Sequence, residues 1–261
     1  QFLEKAKTQG VDIKKLNFLE ALLSPKSQKS NTARVNPPKE LLKSLLEHYQ
    51  NGRFGYAEKL AKSITHEFPQ HQFSWKVLGA ILGATGRNIV ALDANETAVA
   101  LSPQDAEAHS NLGNTLKELG KFDKALASYN QAITLKPDFA DAYNNMGNVL
   151  QDQGKTDKAI AAYRKAISLK PNYAEAHYNL GTMLQELGKL EDAEAIFYQA
   201  IELNPDNIRA HNQLLTCLFL QNKKSAFFDE LDYLINHDKV NAVIGSLACR
   251  SALKYGIEKS N

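Results

Sequence analysis

Carboxamides return in this chain at a fixed interval. Asn111, Asn145 and Asn179 are evenly spaced, with Gln213 continuing the series and Val77 opening it. Three residues further on, a second series runs Ala80, Asn114, Asn148, Thr182 and Thr216. A carboxamide both donates and accepts hydrogen bonds, so it can pair with a peptide unit of any sequence. A row of such groups could hold an extended polypeptide by its backbone. The same groups could instead bond neighbouring helices to one another. Acids precede each carboxamide, at Glu107, Asp141 and Glu175. As contact residues they suit a segment with some basic character; as a solvated helix face they would contribute little.

Other residue types with chemical potential lack partners. His109, His177 and His211 share one position of the interval, which also holds Trp75 and Tyr143. Metal ligands must converge within about 2 Å of one ion. Equivalent positions on separate stacked helices lie about 8–10 Å apart, so packing or partner contact is the expectation for these histidines. Cys217 and Cys249 form no CxxC pair and have no neighbouring base, and a nucleophilic cysteine needs a setting that lowers its pKa. The sequence has no GxSxG, P-loop, GxGxxG or HExxH motif, each of which would carry its own chemistry. We therefore expect no catalytic residue, no metal and no cofactor, and read the chain as not itself an enzyme.

The bulk numbers agree with a binding role. Of 261 residues, 43% are hydrophobic, and 31 basic residues against 29 acidic ones leave a net charge of +2. That balance lacks the clustered basic excess of a nucleic-acid binder and of a membrane-surface protein. No apolar run approaches the roughly 18 residues of a membrane span, so membrane insertion is not expected. Two cysteines without a framework fit a reducing compartment, and a cytoplasmic location is the expectation. The chain opens on Gln1 rather than Met, which suggests a processed product or a fragment.

The interval extends well beyond the carboxamides. Pro69, Pro103, Pro137, Pro171 and Pro205 keep the same step, as do Ala57, Ala91, Ala125, Ala159 and Ala193. Two glycine series keep it too: Gly52, Gly86, Gly120, Gly154 and Gly188, and Gly79, Gly113, Gly147 and Gly181. Each residue type has a physical task within a helix pair. Gly120 follows a first helix, where a left-handed cap favours glycine. Pro137 stops a second helix because it cannot continue the hydrogen-bond ladder. Gly113, Ala125 and Ala132 let helices approach closely, while Leu112, Leu116, Tyr129 and Leu135 recur at helical spacing and fill the space between them. Asp123 and Asp157 fall in the first turn of a second helix, where negative charge suits the dipole.

This period and these residues resemble the tetratricopeptide-repeat family, whose unit has the same length, about 34 residues. The resemblance implies an all-α fold, a right-handed superhelical solenoid of antiparallel helix pairs. Each helix would be about 14 residues and roughly 21 Å long. The units would fall at 38–71, 72–105, 106–139, 140–173 and 174–207. A degenerate sixth repeat with C-terminal capping helices would occupy 208–261, and the rhythm is expected to fail after Phe219. Residues 1–37 read as an amphipathic segment followed by a basic flexible linker. Stacked units form a concave face lined by first helices, which would carry Asn111, Asn114, Asn145, Asn148, Asn179, Thr182 and Gln213. Asn111, Asn145 and Asn179 resemble the asparagine ladder of the O-GlcNAc transferase family, which grips extended protein substrates. Chaperone-binding members carry cations beside these positions as a clamp for a terminal carboxylate. Glu107, Asp141 and Glu175 stand there instead, so that clamp is not expected.

The final residues, NAVIGSLACRSALKYGIEKSN, resemble the junction at which bacterial repeat proteins of this kind precede a 2-oxoglutarate/Fe(II) oxygenase domain. Three readings follow. The chain is a protein-interaction scaffold that binds a protein or peptide ligand in its groove, or the substrate-recruiting region of a larger oxygenase or glycosyltransferase. The third is a self-assembling scaffold, a homo-oligomer joined through its ends.

Overall fold

The computed structural model describes residues 36–237, 239 and 242–255. The N-terminal amphipathic stretch expected before Pro37 lies outside these residues. Every described element is an α-helix. The first six pairs are α1 (Lys39–Gln50) with α2 (Phe54–Glu67), α3 (Gln72–Ala84) with α4 (Asn88–Leu101), α5 (Ala106–Glu118) with α6 (Phe122–Leu135), α7 (Ala140–Asp152) with α8 (Thr156–Leu169), α9 (Ala174–Glu186) with α10 (Leu190–Leu203), and α11 (Ile208–Leu220) with α12 (Lys224–Asn236). A final helix, α13, spans Ala242–Tyr255. Each helix packs on its predecessor and successor, and first helices of adjacent pairs also touch. The result is an all-α solenoid of antiparallel helix pairs.

The turn inside each pair is set by one residue. Gly120 adopts φ +69°, and its four counterparts lie between +68° and +75°. The N–H of Gly120 donates to Lys117 at 2.8 Å, and that of Lys121 donates to Leu116 at 2.8 Å. These bonds satisfy carbonyls that the ending helix leaves free.

Within the third, fourth and fifth pairs, a glycine on the first helix meets a large ring from the second. A Cβ added at Gly147 would stand 2.5 Å from Cε1 of Tyr163, and one at Gly113 would stand 2.7 Å from Cε1 of Tyr129. Gly181 faces Phe197 in the same way. Tyr129, Tyr163 and Phe197 are fully buried, so the small residue and the ring form one packing device repeated along the stack.

The rhythm does not fail after Phe219. Helix α12 begins at Lys224, one full repeat after Leu190, the first residue of α10. Asn222 takes the left-handed turn position with φ +60°, a conformation that asparagine tolerates better than other side-chain-bearing residues. The Gly181–Phe197 pair is replaced at the equivalent positions by Leu215 and Leu231, both buried. Ala193 is replaced by buried Phe227. Volume has been redistributed within the pair while the backbone path is kept, and that redistribution is why the sixth repeat reads as degenerate in the sequence. Segment 242–255, which falls among the expected C-terminal capping helices, is helical.

One junction departs from the apolar pattern. The buried cluster of α1–α4 ends at Ala91 and Ala94, and the next begins with Leu116, Ala125 and Tyr129. Between them Asn95, 1% exposed, donates to Thr115 Oγ1 at 2.9 Å.

Candidate functional site: a row of asparagines on the first helices

The first helices hold the carboxamides at successive levels of the stack. Asn111, Asn114, Asn145, Asn148, Asn179, Thr182 and Gln213 are all half-buried, whereas Glu107, Asp141 and Glu175 are exposed. Positions i and i+3 share a helix face, so each first helix offers two groups on one side.

Their hydrogen bonds follow a rule. Asn145 Nδ2 donates to Asn114 Oδ1 of the preceding repeat at 3.0 Å, and Asn179 Nδ2 donates to Asn148 Oδ1 at 3.2 Å. Asn179 also donates to Asn144 Oδ1 at 3.1 Å. The acceptors are fixed in turn by buried phenols: Tyr129 OH donates to Asn114 Oδ1 at 2.7 Å, and Tyr163 OH donates to Asn148 Oδ1 at 2.8 Å. Burial, reinforced by Glu118 near Tyr129 and by Asp152 near Tyr163, raises both phenol pKa values. Both therefore remain O–H donors across the physiological range. The sequence series contained Asn145 and Asn179 as isolated points. Here each is a link in a chain of carboxamides, with its N–H₂ end anchored and its Oδ1 free of any donor among the described residues.

The pairing explains the irregular members. Phe197 lacks a hydroxyl, and the residue it would hold is Thr182, which instead donates to its own helix at Tyr178 O, 3.0 Å away. Asn95 replaces the ring of α4, and the matching first-helix residue is Ala80. Asn111 consequently has no carboxamide on the preceding repeat to bond. At the other end, the backbone carbonyl of Gln213 accepts from Gln185 Nε2 at 3.4 Å. Reading each second-helix ring together with the first-helix residue it faces, Tyr129 with Asn114 and Tyr163 with Asn148, was the signal that could have exposed this coupling. Gln151, which accepts from Tyr163, belongs to a neighbouring series with Lys117 and Gln185, whereas Asn144, which accepts from Asn179, was missed because Ser110 and Tyr178 stand at its equivalent positions.

The acids are less available than their exposure suggests. Glu107 receives Lys76 Nζ at 2.8 Å, and the same lysine bonds Asp105 at 3.0 Å. Asp141 lies 3.8 Å from Lys170. Glu175 has no ion pair among the described residues.

The shared histidine position serves the helix-pair junctions. His109, His177 and His211 place Nε2 against the carbonyls of Pro103, Pro171 and Pro205 at 3.0, 2.9 and 3.0 Å. Trp75 Nε1 donates to Pro69 O in the same manner at 2.8 Å. Each ring ties the start of a first helix to the proline turn before it. Cys217 is buried, and burial, with Glu194 nearby, pushes its thiol up to about 11. It stays a neutral thiol at neutral pH.

Comparisons with known proteins match this geometry. Models described as "TPR repeat" match residues 113–154 and 147–188, and models described as "Tetratricopeptide repeat" match 174–207 and 94–127. No curated protein matches the chain. Among solved structures, that of MamA is 28% identical, covers 61% of this chain and 93% of its own, and has a TM-score of 0.54. PilF of Pseudomonas aeruginosa is 15% identical over 81% of this chain and 96% of its own, with a TM-score of 0.71. YrrB, described as a TPR protein with an unusual peptide-binding site, is 18% identical over 70% of this chain and 95% of its own, with a TM-score of 0.55. Residues 94–207 match tetratricopeptide-repeat models and lie within a solenoid of antiparallel helix pairs.

Proposed function

We propose that this chain is a protein-interaction scaffold whose first-helix face holds an extended polypeptide by its backbone, through Asn111, Asn145 and Asn179. One observation carries the reading. The tyrosine–asparagine–asparagine links orient successive carboxamides and leave the Oδ1 atoms of Asn145 and Asn179 unused. Each free acceptor suits the N–H of a bound peptide unit, and pre-ordering lowers the cost of binding. The unusual peptide-binding site of YrrB is in keeping with this use of the fold. Glu175 adds negative charge beside the row, in favour of a segment with basic residues.

The test is capture on an array of overlapping peptides tiled from the source proteome. Wild type is compared with the triple variant Asn111→Ala, Asn145→Ala, Asn179→Ala, after both show equal helicity. Each hydrogen bond contributes about 1 kcal/mol, so the variant should bind captured peptides roughly a hundredfold more weakly. Equal affinity in wild type and variant would assign the asparagines to repeat stapling alone.

A further inference from the structure

The second repeat opens a cavity that its neighbours fill. At four positions on one side of this pair, small residues stand where the next repeat has large ones. Asn95 replaces Tyr129, Ala80 replaces Asn114, Gly83 replaces Lys117, and Ala84 replaces Glu118. These changes converge on one hollow of about 430 Å³, which extends to Asn88 on one side and to Asn111, Asn114 and Glu118 on the other. It therefore adjoins the first member of the asparagine row.

The walls are rich in acceptors. Asn95 is 1% exposed, its Nδ2 is engaged by Thr115, and its Oδ1 lies against Gly79 with no hydrogen-bond partner. The Oδ1 of Asn88 is likewise buried without one. A buried polar atom left unpaired is costly, and such sites call for an explanation. Glu118 adds a carboxylate, shared with Lys117 at 2.9 Å. No lysine, arginine or histidine lines the hollow among the described residues, and nearby Arg87 is held by both oxygens of Glu58 at 2.8 and 2.6 Å.

We infer that this hollow is a specificity pocket for an arginine side chain of the bound segment. A guanidinium carries five N–H donors and no acceptor, so one planar group can serve several wall acceptors at once. Its weaker hydration favours it over an ammonium in an enclosed site. The inference rests on the groove reading above, and it gives that groove a fixed point of register: the segment's arginine sits beside Asn111, and its backbone runs on past Asn145 and Asn179.

The probe is N-acetyl-L-arginine amide, titrated into isotopically labelled protein beside its lysine, leucine and tyrosine analogues. Amide shifts are read at the Asn95 side chain and at the backbone of 79–84 and 114–118. Two variants accompany the wild type. Asn95→Tyr restores the ring that fills the space in the next repeat. Gly83→Lys places a cation at the hollow, on a helical position where an added Cβ meets nothing within 4 Å, and so covers the case in which Asn95→Tyr folds poorly. The arginine probe should give saturable shifts at these positions. The lysine probe should shift them less, and the leucine and tyrosine probes not at all. The response should vanish in Asn95→Tyr and weaken in Gly83→Lys. Absent shifts, equal shifts from the lysine or leucine probe, or an unchanged response in the folded variants would overturn the pocket. A single blocked amino acid cannot span Asn111 to Asn179. Failure here therefore leaves the peptide-array result standing, whereas a failed array with saturable arginine shifts would overturn the backbone grip and, with it, the pocket's role in setting register.

Discussion

One ring nitrogen does the same work at several levels of the stack, and His211 shows what charge adds to it. Its Nε2 meets Pro205 O while Nδ1 is bound to the Glu230 carboxylate, and Tyr233 stacks on the ring. Burial pulls its pKa down, but the Glu230 carboxylate and the Pro205 carbonyl outweigh that pull and leave it raised above the ordinary 6.5. A histidine with a raised folded pKa binds its proton more tightly in the fold than in the unfolded chain. Its stabilisation is complete below the ordinary value and is lost as pH rises through the folded one. Urea midpoints should therefore fall from pH 6 to pH 8 more steeply in wild type than in Glu230→Gln; equal slopes would show that the pair does not titrate in this way. The histidine series was visible in the sequence. Its task was not, because the acceptor is a backbone carbonyl, which leaves no residue type to read. The asparagine row was visible for the opposite reason: its members share a side chain. The phenols that hold it lie on the other helix of each pair, and no series of one residue type joins the two.

At the scale of the helix, the glycine–ring contact explains how two helices approach so closely within the third, fourth and fifth pairs. Gly147→Ala brings a methyl group to 2.5 Å from the buried ring of Tyr163, and such overpacking costs about 1–3 kcal/mol. Gly83→Ala meets nothing within 4 Å and removes a mid-helix glycine, so it should stabilise by roughly 0.5–1 kcal/mol. Chemical denaturation of the two variants checks both signs, and destabilisation of similar size in both would refute the contact argument. Helix boundaries from the second to the fifth pair were legible because glycine, alanine and proline recur where geometry demands them. The sixth pair was legible only as a degenerate repeat because Leu215, Phe227 and Leu231 exchange large and small volumes while Asn222 replaces the turn glycine. Residue identity was lost there, and backbone geometry was retained.

For the molecule as a whole, stacking converts a local pattern into a continuous surface. Leu184, Leu214, Leu218 and Phe227 join consecutive pairs into one buried cluster toward the C-terminal end. The cluster of α1–α4 is separate, and the polar Asn95–Thr115 contact marks the boundary. The asparagine row, from Asn111 on α5 to Asn179 on α9, lies on the C-terminal side of that boundary. In the proposed function these groups grip the backbone of a bound segment rather than its side chains. The most direct measurement takes one peptide captured by wild type and compares its affinity with that of versions N-methylated at single residues. Loss of binding at alternating positions, with tolerance of side-chain changes at the same residues, is the predicted result. Affinity that survives every N-methylation yet collapses on side-chain substitution would contradict it.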